Sequence, residues 1–93
     1  IIIAAVAIER LKINPEVIEI FEPDIMIPQV GQGAIGLECL SNNSEVIFAL
    51  ETIENPSTRN LVNIERLFLK EVGADCSHPV GAHACLEENQ IRL

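Results

Sequence analysis

The run "EPDIMIPQVGQG", residues 22–33, limits the fold more than any other stretch of this chain. It carries two prolines and two glycines, and proline both fixes its own φ and lacks the N–H that a helix or sheet ladder would use. The run therefore reads as a connection, and regular structure has to be built on either side of it. Upstream, Ile1, Ala4, Ala5, Ile8 and Leu11 recur at helical spacing with Glu9 and Arg10 on the polar side, which predicts a buried helix over residues 1–11. Asn14-Pro15 ends it. "VIEIF" (17–21) reads as a short strand or extended piece.

Downstream, "AIGLECL" (34–40) alternates and reads as a strand. "SNN" (41–43) offers side-chain oxygens as helix caps. A helix over 44–53 is predicted to bury Val46, Ala49, Leu50 and Ile53. Asn55-Pro56 starts a second helix, with Asn as cap and Pro at the first helical position. Its apolar stripe is Leu61, Ile64, Phe68 and Val72, widened by Leu67, and "VGAD" (72–75) stops it. Residues 78–85 alternate as a strand, "EENQ" (87–90) turns, and "IRL" begins a return strand.

The chain has 93 residues, 48% of them apolar, with no Trp or Tyr and three Phe, so any core is aliphatic. Net charge is −8, from 14 acidic and 6 basic residues. That balance disfavours nucleic acid and anionic membranes, which need Lys and Arg against their phosphates. The opening apolar run has no basic residues before it and is too short to span a bilayer. Cys39, Cys76 and Cys85 are odd in number and lack the spacing of a disulfide scaffold, which points to free thiols in a reducing cytoplasm.

Several side chains are candidates for chemistry. In "VGQGA" (30–34), Gly31 and Gly33 flank Gln32 and permit backbone angles closed to other residues. Gln32 then presents an amide with donors and an acceptor, or the segment is a plain tight turn. It is not a dinucleotide fingerprint, because a strand follows rather than a helix. Cys39, Cys76, His78, His83 and Cys85 could ligate a metal, but their C-x-H-x4-H-x-C spacing is not that of paired zinc ligands. Solvent-facing or hydrogen-bonded histidines are the plainer expectation. Arg10 either snorkels from a helix end or aims its guanidinium at a carboxylate ligand. Glu65-Arg66 reads as a solvated helix face or a capping and pairing contact. Cys76 is either a small buried hydrophobe or, set in a loop before Pro79, an exposed thiol. The neighbouring Asp75 works against its thiolate.

Taken together, "AAVAIERL", "IPQVGQGAIGLEC" and "ERLFLKEVGADCSHPVGA" resemble, in order and spacing, the three signature segments of the hydroxymethylbilane synthase (porphobilinogen deaminase) family. The resemblance covers nearly the whole chain. It implies a three-domain enzyme, α/β passing to α+β, that joins four porphobilinogen units head to tail and releases ammonia to give hydroxymethylbilane for haem synthesis. It further implies a dipyrromethane cofactor, thioether-linked to Cys76, on which the polypyrrole chain grows. Arg10 would bind the acetate and propionate groups of the substrate. Gln32, with Gly31 and Gly33, would line the cleft near the cofactor, and Glu65 and Arg66 would give structural support. Residues 1–20 would close the second domain and 21–42 cross back to the first. Residues 43–93 would form most of a C-terminal α+β domain with an antiparallel sheet.

On this reading both ends are cuts, the catalytic aspartate lies upstream of residue 1, and the 93 residues alone are inactive. The full-length enzyme would be a cytoplasmic monomer. The sequence departs from the family pattern at Ala74-Asp75, where the family has Gly-Gly before the cysteine. It departs again at His78 before Pro79 and at Leu40 after Cys39. A rival expectation, of another class, is a small non-catalytic domain that binds a metal or a protein partner through its Cys and His residues.

Overall fold

The structure is a computed structural model that describes residues 1–75 and 77–93. Its elements run α1 (Ala5–Leu11), α2 (Ser44–Glu51), α3 (Pro56–Glu71), β1 (Cys85–Glu87) and β2 (Gln90–Arg92). Among the described residues this is a small α+β arrangement in which three helices precede one antiparallel hairpin.

Helix α1 is shorter than its apolar spacing allows. Ala4 caps it without a side-chain hydrogen bond, and no acidic residue stands in its first turn. The preceding Ile1–Ile3 are β-branched and disfavour helical continuation. At the other end Lys12 takes a left-handed conformation (φ 51°). Its amide donates to the Glu9 carbonyl, and the Ile13 amide donates to the Ile8 carbonyl. These paired bonds close the helix in a Schellman motif. The expectation of a buried helix is corrected: α1 has no buried residue.

Neither "VIEIF" nor "AIGLECL" forms a strand. A strand exists only where another backbone accepts its ladder, and neither segment has such a partner among the described residues. Ile35 and Leu37 are accordingly 70% and 62% exposed.

The two longer helices begin where side-chain chemistry dictates. Asn43 Oδ1 accepts from the Val46 amide at 3.2 Å, and Asn55 Oδ1 accepts from the Thr58 amide at 3.0 Å, with Pro56 opening α3. Gly73 (φ 66°) ends α3: its amide donates to Lys70 and that of Ala74 to Leu69, a second Schellman closure. The predicted faces need correction. On α2 the half-buried residues are Ile47 and Leu50, while Val46 and Ile53 are exposed. On α3, Leu67 and Val72 are exposed, and Val62 and Leu69 join Leu61, Ile64 and Phe68 on the covered side.

The predicted strand over 78–85 is regular only from Cys85 onward. Before it, the chain is stitched to the 28–29 connection by a Gln29–Gly81 bridge and by the Ala82 amide donating to the Pro28 carbonyl at 3.1 Å. Leu86 faces Ile91 across the hairpin, and Glu88 and Asn89, both at positive φ, form its turn. That sign at both central residues matches the twist of two-residue hairpins. Arg92 ties the hairpin to Glu87 at 3.0 Å and to Asp24 at 3.4 Å.

Among the described residues only Ala82, Ala84 and Glu65 are buried. The chain exposes 8125 Å², against about 5,300 Å² for a compact protein of its mass. Its close-packed centre is one small node where α3, the 28–31 connection and residues 81–84 meet.

Candidate functional site

Two overlapping turns form the connection ahead of residue 34. The Gln32 amide donates to the Gln29 carbonyl at 2.9 Å, and the Ala34 amide to the Gly31 carbonyl at 3.1 Å. Gly31 (φ 71°) and Gly33 (φ 83°) both lie in the left-handed region, where a Cβ would be strained. Gln32, between them, is exposed. A Cβ on Gly33 would meet no atom within 4 Å, so the turn borders open space. This is the conformational freedom that the two glycines imply. α2 starts only at Ser44, well past the turn.

Glu65, not singled out as a buried residue by the sequence, anchors that turn. It is 6% exposed. Its Oε2 accepts from the Gly31 amide at 2.7 Å, and its Oε1 accepts from the Ala84 amide at 2.8 Å. His83 Nδ1 lies 3.8 Å from the same Oε1. The expectation of a solvated Glu65 is thus corrected, and structural support describes it better. Its position carried a signal: Leu61, Glu65, Phe68 and Val72 are spaced by four, three and four, so the carboxylate occupies a place in the apolar stripe. Arg66, next to it, is exposed.

Gly81 matters for a different reason. A Cβ there would come within 2.7 Å of the Pro28 carbonyl oxygen, so the two backbones can only lie side by side with glycine at this point. The sequence pattern offered no hint of this contact.

The expected attachment residue, Cys76, lies outside the described residues. Its neighbours form a local polar cluster. Asp75 Oδ1 accepts from the Ser77 amide at 2.8 Å and from the Ser77 hydroxyl at 2.5 Å, and it lies 2.9 Å from His78 Nδ1. The two Ser77 donors, with help from His78, hold the Asp75 carboxyl below its usual value of 3.8. An ionised carboxylate therefore stands beside Cys76 in sequence at neutral pH.

Arg10 is exposed in the last turn of α1 and shares no hydrogen bond or ion pair with the 31–33 turn among the described residues. Cys39 and Cys85 are half-buried free thiols. Among the described residues no three of His, Cys, Asp and Glu are grouped to hold a metal ion. His78 and His83 instead face carboxylates, at Asp75 and Glu65. An open groove of about 650 Å³ runs between Ile35 and Leu37 on one side and Leu50, Arg59 and Arg66 on the other. Arg59 is paired with Glu54. No helix among the described residues is long and apolar enough to cross a membrane.

A glycine-built turn that exposes Gln32 and is anchored by the buried Glu65 carboxylate is thus the most tightly built feature of this small α+β arrangement among the described residues. Residues 1–48 match the family model described as porphobilinogen deaminase, dipyromethane cofactor binding domain. The chain belongs to the porphobilinogen deaminase family. It is 40% identical over 93 residues to the porphobilinogen deaminase of Roseiflexus castenholzii, covering all of this chain and 31% of that protein. It is 37% identical over 93 residues to the Coxiella burnetii protein of that name, covering all of this chain and 30% of the relative. With the Staphylococcus carnosus protein it shares 34% over 90 residues, 96% of this chain and 29% of the relative. The chain thus spans about a third of the length of these relatives. No solved structure matches it. The family match holds Arg10 and the Gln32 turn and ends ahead of Cys76.

Proposed function

We propose that these residues form part of a transferase that joins four porphobilinogen units head to tail, with release of ammonia, to give hydroxymethylbilane. The observation that carries this reading is the similarity to porphobilinogen deaminases across the full 93 residues, including the Gln32 turn and the Cys76 loop. In this account residues 1–20 belong to a second domain, 21–42 cross to a first, and 43–93 build a third.

The described residues suit a dipyrromethane group carrying carboxylates and pyrrole N–H donors. Space is open beside Gly33, the Gln32 amide is exposed, and the Arg10 guanidinium is free of ion pairs among the described residues. Once bound, that group supplies a tethered primer, so each addition gains from proximity. Cys76 would hold it through a thioether, its thiol sulfur taking the place of an amino group on the pyrrole methylene, which would leave as ammonia with the thiol proton. A soft sulfur suits an electron-poor methylene carbon. Arg10 clasps an acetate or propionate through two parallel hydrogen bonds. Gln32 accepts from, or donates to, the bound chain. The aspartate that acts on the pyrrole nitrogens comes from outside these residues.

The test is a chimera in which this chain replaces the matching segment of the R. castenholzii relative. Porphobilinogen should be consumed with ammonia release by the chimera and not by the 93 residues alone. Ammonia release by the isolated chain would overturn the division of labour. A chimera that folds but consumes no porphobilinogen would overturn the function.

A further inference from the structure

Glu65 is the one buried charged side chain among the described residues, and both its oxygens are taken by main-chain N–H donors from different segments. Only a carboxylate offers two acceptor oxygens with no donor among them. A glutamine would satisfy one amide and turn its own N–H₂ toward the other. Hydrophobic packing of α3 would not need such a group, since burying a charge is costly unless it is fully hydrogen-bonded. The requirement is therefore set by the two amides. Gly31 opens the turn that presents Gln32, and Ala84 lies in the segment that leaves the Cys76 loop. The same two segments are joined by the Gln29–Gly81 bridge and the Ala82–Pro28 hydrogen bond, at a spacing that only glycine at 81 permits. From Glu65, α3 leads directly on to the Cys76 loop.

We propose that Glu65 is a positioning residue that fixes the Gln32 turn against residues 81–84, so that the Gln32 amide meets the bound group in one geometry. The clamp stands on the hydrogen bonds above; its consequence for turnover rests on the reading of Cys76 as the attachment site.

The test compares the chimera with its Glu65→Gln and Gly81→Ala variants. Three quantities are followed: amide exchange at Gly31 and Ala84, covalent loading by intact mass, and kcat against KM. Glu65→Gln should speed exchange at whichever of the two amides faces the new N–H₂, leave loading intact, and lower kcat by as much as about 10²-fold, with KM changed far less. Gly81→Ala opens the stitch from its other side without removing a buried charge, and it should give the same pattern if Glu65→Gln does not fold. A loaded variant with either amide released and kcat unchanged would overturn the positioning role alone. An unsubstituted chimera that folds but takes no covalent group would overturn the Cys76 reading and the positioning role together.

Discussion

Glu65 and Gly31 are 34 residues apart in sequence, yet the Gly31 amide donates to Glu65 Oε2 at 2.7 Å, within the charge-assisted range. Because the other oxygen holds Ala84, one side chain closes the node where α3, the 28–31 connection and residues 81–84 meet. Truncation therefore leaves the buried Ala84 amide and the half-buried Gly31 amide without their acceptor.

Glu65→Ala in the chimera should lower unfolding free energy by about 1.5–4.5 kcal/mol, about 1–3 from the buried Ala84 amide left without an acceptor and about 0.5–1.5 from the lost half-buried Gly31 hydrogen bond. Urea denaturation checks this. A loss below about 0.5 kcal/mol, within the range of surface substitutions, would show that the node is not formed.

Two glycines make a matched pair. Gly81→Ala should cost about 1–3 kcal/mol or more, because its Cβ would press on the Pro28 carbonyl, a backbone atom that cannot rotate away. Gly36→Ala should be neutral or stabilising by up to about 1 kcal/mol, since no atom lies within 4 Å and its φ is not left-handed. Thermal melting of both variants would show the difference, and equal shifts would contradict it.

The caps and turn glycines were the most legible part of this chain, and Gly81 was not. Asn43, Asn55 and Gly73 act through hydrogen bonds within a few residues and Pro56 through its own fixed φ, so local sequence states their roles. The hairpin turn was legible for the same reason. "AIGLECL" was not, because alternation records a preference for the sheet and a strand needs a partner that this segment lacks among the described residues. Glu65 was half legible. Its place in the apolar stripe was visible, but the amides that require it come from residues 31 and 84. Arg10 and the Gln32 turn stood out as candidates in the local sequence, their roles came only through resemblance, and no contact among the described residues joins them.

Asp75 gives a pH signature. Its folded pKa is depressed by the Ser77 and His78 hydrogen bonds, so its contribution is present above the usual 3.8 and is lost as pH falls through the lower folded value. Carboxyl NMR titration should place Asp75 below 3.8, and Ser77→Ala should raise it back toward that value. A midpoint at or above 3.8 in the unsubstituted protein would contradict the cluster.

Arg10 separates charge from geometry. Arg10→Ala in the chimera should reduce kcat/KM for porphobilinogen about 10- to 100-fold, the equivalent of a charged hydrogen bond. Arg10→Lys should recover only part, because an ammonium cannot form the paired contact. Steady-state kinetics would show it, and full recovery by lysine would mean that only charge matters.

The central claim is that Cys76 carries a covalent dipyrromethane, and intact mass of the purified chimera and its Cys76→Ser variant tests it most directly. The account predicts a mass above the polypeptide by two pyrrole units in the unsubstituted protein and the bare polypeptide mass in Cys76→Ser. An active chimera with an unmodified mass, or a Cys76→Ser variant that still carries the added group, would contradict it.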